Sequence, residues 1–347
     1  MNTISTARQN SAKASARFDA RSALILGTSA LALLWPAAAS AQDSGEPAAH
    51  SGFDTITVTA RRTEESLQST PIAVTALPAE ALEDRQITDI NAVQYNAPNV
   101  TIQPLVANSG VSLSIRGQAG VENSATSDPA VGIYVDGVYT ARSSLGFMEL
   151  VDVQQVEVLR GPQGTLFGRN TTGGALNITT PTPDGEFSGA LTGRLGNYDS
   201  AELLGHVNIP LAGDEAAIRL SFLHGEHSGY GQSIPLNRDL ADLDRNFLRG
   251  VLLIAPDEAN WDLTLSADYF NRKGNGPIGA ITAVRPGSLA DAVFGFSNFI
   301  SDDFYSSYTA TETFEDVTAQ GASATFNIDL GFADLKSITA FRSTENH

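Results

Sequence analysis

Two stretches of this 347-residue sequence hold residues at spacings that chemistry uses. Gly168 and Gly173 have the gap of a phosphate-binding loop. Such a loop needs Lys and then Ser or Thr after its second glycine, to meet the phosphates and their magnesium ion. Gly174 and Ala175 stand there instead. His224 and His227 flank Glu226, but no His-Glu-x-x-His run exists. On a strand, positions three apart point to opposite faces, so shared metal ligation would need a turn between them. With no cysteine there is no thiolate nucleophile, no Cys-ligated metal and no disulfide. No Ser/His/Asp arrangement has a motif behind it. The expectation is therefore a chain with no catalytic residue, no metal and no cofactor.

Two other stretches suggest binding. Asp54-Thr55-Ile56-Thr57-Val58-Thr59-Ala60 is β-branched and precedes Arg61-Arg62. Such a patch can add as a strand to the sheet edge of a partner. Periodicity alone favours a plainer reading, the first strand of the next domain. Gly161, Gly164, Gly168, Gly173 and Gly174 crowd one segment together with Arg160 and Arg169, and a second arginine-glycine pair stands at Arg116-Gly117. Glycine gives tight turns and close backbone approach that a Cβ would block.

The elements that must position these residues fall into three parts. Residues 1–41 have a basic start at Arg8, Lys13, Arg17 and Arg21, an apolar run of about 13 residues from Ala23 to Trp35, and Ala39-Ser40-Ala41. That is a secretory signal with cleavage before Gln42, since a spanning helix needs about 20 apolar residues. Of 21 basic and 39 acidic residues the leader holds four and one, so the remainder carries a net charge of −21. Nucleic acid is excluded as a partner, because phosphate binding needs clustered Lys and Arg. Residues 42–65 read as a polar tail ending in the β-branched patch.

Residues 66–182 read as one α/β domain. Strands are expected over 72–77, 99–103, 111–116 and 153–159, and helices over 79–85 and 87–95. The stretch 130–139 reads as a hairpin turning at Asp136-Gly137, a type I′ dipeptide. From residue 183 the texture changes to period two. Leu263, Leu265, Ala267 and Tyr269 alternate with Asp262, Thr264, Ser266 and Asp268, and four similar segments surround them. Residues 245–255 and 334–342 alternate less cleanly. From residue 210 onward short connections (210–214, 256–260, 331–333) alternate with long ones (225–244, 271–313). That asymmetry belongs to outer-membrane barrels, with short periplasmic turns and long outer loops. About seven strands are expected over 183–347.

One segment is distinctive at the level of letters. Val156-Glu157-Val158-Leu159-Arg160-Gly161-Pro162-Gln163-Gly164-Thr165-Leu166-Phe167-Gly168-Arg169-Asn170-Thr171-Thr172-Gly173-Gly174-Ala175-Leu176-Asn177-Ile178 resembles the plug domain of TonB-dependent outer-membrane receptors. Ser114-Ile115-Arg116-Gly117 and Tyr134-Val135-Asp136-Gly137-Val138 resemble two further plug motifs, and Thr70-Pro71-Ile72-Ala73-Val74 the plug's entry strand.

The resemblance implies an α/β plug domain followed by an antiparallel transmembrane β-barrel, incomplete in this chain. It moves the β-branched patch to the position of the TonB box, against the plainer reading. It implies that arginines such as Arg116, Arg160 and Arg169 pair with carboxylates on the barrel's inner wall, with inward-facing Glu202 as one candidate. On their own chemistry, the glycines and arginines of the motif read as fold-holding rather than substrate-contacting. Residues 103–110 and 120–128 would contribute to a ligand floor. The implied partners are a TonB-type periplasmic energy-coupling protein, outer-membrane lipid and an extracellular ligand, an iron chelate by family prior. Residues 42–53 number only 12, too few for a periplasmic signalling domain. Seven strands cannot close a barrel, and open edges in lipid leave backbone groups unpaired. The chain is accordingly expected to be partial, and residues 42–347 alone are not expected to insert or transport.

Overall fold

Side chains on a strand alternate between two faces, so a two-sided pattern in sequence demands two unlike solvents or partners. The computed structural model describes residues 56–59, 62–63, 65–104, 111–120, 128–140, 149–308 and 310–346, and in it that demand is met by a wall with a folded domain against one face. Residues 1–55, with the expected leader, lie outside the described residues.

The N-terminal domain begins with two short strands, β1 (Thr57–Val58) and β2 (Glu65–Ser66), paired antiparallel. Its main elements are β3 (Ala73–Pro78), α1 (Ala79–Asp84), α2 (Ile90–Val93), β4 (Val100–Pro104), β5 (Val111–Ile115), β6 (Val131–Val135), β7 (Val138–Thr140), β8 (Gln155–Arg160), α3 (Gly164–Phe167) and β9 (Gly174–Thr179). The central sheet runs β3-β8-β9-β6-β7, and β4-β5 form a separate hairpin. Only β6 and β9 pair in parallel within that central sheet. Asp136 and Gly137 sit at φ 49° and 80°, as a type I′ turn requires. Ile90, Val93, Val111, Ile115, Val156 and Ile178 are fully buried and form the core.

Helix α2 is shorter than its periodicity suggests. Asp89 caps it by accepting from the Ala92 N–H, and the residues before it are used differently. The Leu150 N–H donates to the Thr88 carbonyl and Asp89 bridges to Glu149, so 88–89 act as a strand rather than a helical turn.

The wall is a seven-stranded antiparallel sheet in the order β10 (Ser188–Leu195), β11 (Ala201–Pro210), β12 (Ala216–His227), β15 (Leu243–Ile254), β16 (Trp261–Asn275), β18 (Phe314–Asp329) and β19 (Asp334–Asn346). It is open, with β10 and β19 as its edges. Short turns join the strands at one end. At the other lie long loops holding β13 (Gly231–Ser233), β14 (Arg238–Leu240), α4 (Leu289–Phe294) and β17 (Ser306–Ser307). One face presents Leu191, Leu195, Leu203, Leu248, Tyr269 and Phe341, all exposed, with Leu195 at 89%. In water such a face would be costly; against acyl chains it is the expected surface. No helix among the described residues is long and apolar enough to cross a membrane.

Candidate functional site

The arginine-glycine motif folds into the turn between β8 and β9. Gly161 (φ 107°) ends β8, and its N–H donates to the Gly173 carbonyl. Gly168 (φ 85°) ends α3, and Gly117 (φ 76°) completes the turn after β5. A Cβ on Gly173 would sit 2.8 Å from Gln118 Cβ, so close approach explains that glycine. Gly164 is different: it opens α3, has no positive φ and has nothing near it, so neither expected reason applies there. Pro162 and Arg169 are exposed, while Arg160 is half-buried at the end of β8. Arg116 (φ 54°) lies against Gly161.

The plug-to-wall ion pairs run opposite to expectation. Among the described residues no ion pair joins Arg116, Arg160 or Arg169 to the wall. Glu202 instead belongs to the wall's own network, bonded to Arg194 and Arg245. The domain contributes the carboxylates and the wall the arginines. Glu149 meets Arg245, Asp136 meets Arg249, and Asp152 meets Arg219 at 2.6 Å. Asp152 also accepts from the Ser221 hydroxyl and lies 3.5 Å from His206 Nδ1. Asp136 has a second duty, accepting from the Thr180 N–H at 2.9 Å and its hydroxyl at 3.0 Å. Between the acids, Val151 is buried against Leu223, Phe247, Phe270 and Ala319. At the hairpin tip a Cβ on Gly137 would lie 2.9 Å from Ile338 of β19, so the turn touches the wall.

The β-branched patch is described over Ile56–Thr59; Asp54, Thr55 and Ala60 lie outside the described residues. Val58 is buried among Tyr134, Leu159, Phe167 and Ala175. The Arg62 guanidinium lies 5.1 Å from the Phe167 ring centre. The expected ligand-floor stretches fall mostly at 105–110 and 121–127, also outside the described residues. At the long-loop end three aromatic rings from separate loops converge. Tyr198 and Tyr305 lie 5.9 and 6.3 Å from Tyr230, with His227 at 6.1 Å. His224 contacts Asn246 and His227 the Ser228 carbonyl. No group of three metal-ligating side chains exists among the described residues.

Residues 66–175 match the family described as the TonB-dependent Receptor Plug Domain. That match lies over the domain whose carboxylates dock into the wall. The chain belongs to the TonB-dependent receptor family. It is 30% identical over 241 residues to the pesticin receptor of Yersinia pestis, an alignment covering 68% of this chain and 34% of that receptor. It is 27% identical over 165 residues to an iron-regulated outer membrane virulence protein of Vibrio cholerae, covering 46% and 24%. The fold is similar to that of the ferric yersiniabactin uptake receptor FyuA from Yersinia pestis, with a TM-score of 0.67 at 21% identity, over 80% of this chain and 42% of FyuA. It is also similar to the ferric-catecholate import receptor Fiu from E. coli K12, with a TM-score of 0.65 at 19% identity, over 81% and 38%. The chain spans about a third of the length of the pesticin receptor. Its architecture is a plug followed by the start of an antiparallel barrel, and its place is the Gram-negative outer membrane.

Within the receptor, the two docked acids have opposite electrostatics. Burial pushes Glu149 from the ordinary 4.5 up to about 7; Arg245 and Arg272 oppose this, while Asp89 and Glu202 add to it. Burial also raises Asp152, but hydrogen bonds from Arg219 and Ser221 and the Arg219 charge outweigh it and hold the group low. A raised folded-state value means the folded plug binds the proton that the unfolded chain has lost. Glu149's contribution to stability therefore falls as pH rises from about 4.5 to about 7. Asp152 works the other way: its contribution is present above its unfolded value and lost as pH falls through its lowered folded value. Glu149→Gln imitates the protonated form. Thermal unfolding of the full-length receptor at pH 5.5 and 8 is expected to show a smaller pH difference in that variant than in the parent. An unchanged difference would remove Glu149 from the account.

Proposed function

We propose that this receptor takes up an extracellular iron chelate of the ferric siderophore class. A TonB-type periplasmic protein would energise it by pairing with the segment Asp54–Ala60. The observation that carries this reading is the position of that segment: Ile56–Thr59 is extended and docked on a plug that is itself ion-paired into a barrel wall. Force on the segment would then reach the plug through β8, whose entry is tied to the wall at Asp152. The iron-chelate class is supported by the receptors of similar fold, which serve ferric yersiniabactin uptake and ferric-catecholate import. The rings of Tyr198, Tyr230 and Tyr305 at the long-loop end offer stacking faces for the planar groups of such chelates.

The test is growth of a deletion strain under iron restriction on single ferric chelates, haem, cobalamin and glycans. Loss of growth on a ferric chelate, restored by the full-length gene but not by one lacking Asp54–Ala60, is the expected result. Loss confined to cobalamin or glycans would overturn the ligand class. Full restoration by the gene lacking Asp54–Ala60 would overturn the coupling role. Unaltered growth on every ligand would leave a protein that binds without transporting.

A further inference from the structure

The two long connections of the wall are joined to each other. The first, 228–242, links β12 to β15 and holds β13 and β14; the second, 276–313, links β16 to β18 and holds α4 and β17. β13 is the middle strand of a sheet ordered β14-β13-β17, so it pairs within its own loop on one edge and with the other loop on its second edge. The second pairing is parallel, with Gln232 opposite Ser306 and Ser233 opposite Ser307. The Gln232 N–H donates to the Tyr305 carbonyl at 2.8 Å and the Ile234 N–H to the Ser307 carbonyl at 2.9 Å. These are successive rungs of a parallel ladder, evenly spaced along the strand.

The junction has a packed interior. Ser233 and Ser307 are fully buried, and the Ser307 hydroxyl donates to the Gly279 carbonyl at 2.6 Å. Gly231 is also buried. A Cβ there would lie 2.2 Å from Ile278 Cδ1 and 3.1 Å from the Tyr305 carbonyl oxygen, so a glycine is what lets the second loop come this close. At the base, the Asn275 N–H donates to Asp242 Oδ1 at 2.7 Å and its side-chain amide to the Asp239 carbonyl at 3.0 Å. The Ala241 N–H donates to the Gly276 carbonyl at 3.2 Å. Segments that open easily have few buried contacts and solvent-exposed backbone bonds. This junction has the reverse, and parting the loops would break its bonds together.

The ladder also sets two rings. Tyr230 immediately precedes β13 and Tyr305 immediately precedes β17. Their rings meet edge to face at 6.3 Å. The Ser228 N–H donates to the Tyr198 carbonyl at 2.7 Å, which ties in the short connection that carries the third ring. We propose that 228–242 and 276–313 are one preassembled recognition unit, in which the interloop sheet fixes the spacing of Tyr230 and Tyr305. Neither loop then folds over a ligand by itself. The ordering of the rings is completed when the receptor folds and does not draw on the energy of binding. The purpose of the unit rests on the ring site proposed above.

The test labels one exposed position on each loop, Asp239→Cys and Asp302→Cys, with nitroxides. The 347 residues contain no other cysteine, and any cysteine beyond them is replaced by serine. Pulsed electron resonance on the full-length receptor in outer membranes then reads the distance between the loops. A single narrow distribution is expected. Gln232→Pro removes the N–H given to Tyr305 and is expected to widen the distribution at least twofold. Ser307→Ala, which leaves the backbone ladder intact, is expected to widen it less. Heat-modifiable migration confirms that each variant holds a folded barrel. A broad or two-peaked distribution in the parent would overturn the single unit. Equal widths in the parent and both folded variants would overturn the sheet as its cause. The distances are read on the receptor without chelate, so failure of the iron-chelate reading would appear in growth and leave the unit standing.

Discussion

Replacing Arg219 with alanine is expected to loosen the plug from the wall by about 3–5 kcal/mol, the range for removing one partner of a buried ion pair. The guanidinium grips Asp152 with two bonds, Nε to Oδ2 at 2.7 Å and Nη2 to Oδ1 at 2.6 Å. Both side chains are nearly enclosed, at 11% and 8% exposure. Without Arg219 the carboxylate keeps Ser221 and His206, which cannot replace a bidentate cation. Most of the penalty is the stranded charge, not the lost attraction. The double variant with Asp152→Ala is therefore expected to be more stable than Arg219→Ala alone. The measurement is unfolding of the plug in the purified full-length receptor, read as protease sensitivity against denaturant. A single variant within about 0.5 kcal/mol of the parent, the range of an unremarkable surface change, would show that this pair does not hold the plug.

Gly174→Ala is expected to cost more than about 4 kcal/mol, at the upper end for point substitutions. Gly174 sits at φ +152°, and a Cβ there would lie 2.2 Å from the Leu159 carbonyl oxygen and 2.9 Å from Ile115 Cδ1. Neither can retreat cheaply. The carbonyl belongs to β8, which pairs with β9 through Arg160 and Gly174, and Gly174 also pairs with Val131 of β6. The substitution thus strikes the middle strand of the plug sheet. Gly164→Ala is the matched control in the same motif. With nothing within 4 Å of its Cβ and a place at the start of α3, it is expected to be neutral or to stabilise by about 0.4–1 kcal/mol. Folded protein recovered from outer membranes, together with plug unfolding, checks both. Equal recovery of the two variants would refute the close-approach account.

Much of this contrast was legible in the letters of the motif, but not all of it. A crowd of glycines signals turns and close approach without saying which glycine does which. Gly161 and Gly168 proved to be turns, Gly173 and Gly174 close approaches, and Gly164 neither. The docking acids were less legible still. Glu149 and Asp152 carry no motif, and the chain has 39 acidic residues from which to choose. Nor did the reading find Gln155 or Glu157 as partners of the β-branched patch, because their contact joins segments 98 residues apart.

What the sequence determined by itself was local in its physics. The two-residue period of a strand decides which side chains share a face, so the outward row of Leu191, Leu203, Leu265 and Tyr269 could be read before any contact was known. Asp136-Gly137 could be read as a turn because few residues tolerate positive φ twice in succession. Only the tertiary structure decided the polarity of the dock, with acids on the plug and arginines on the wall. Attraction between unlike charges is symmetric, and a sequence records the charges without recording which surfaces meet. The blurred alternation of 245–255 has the same origin. Phe247 points into the lumen because Val151 of the plug waits for it there, and an apolar inward residue looks like an error until its partner is in place.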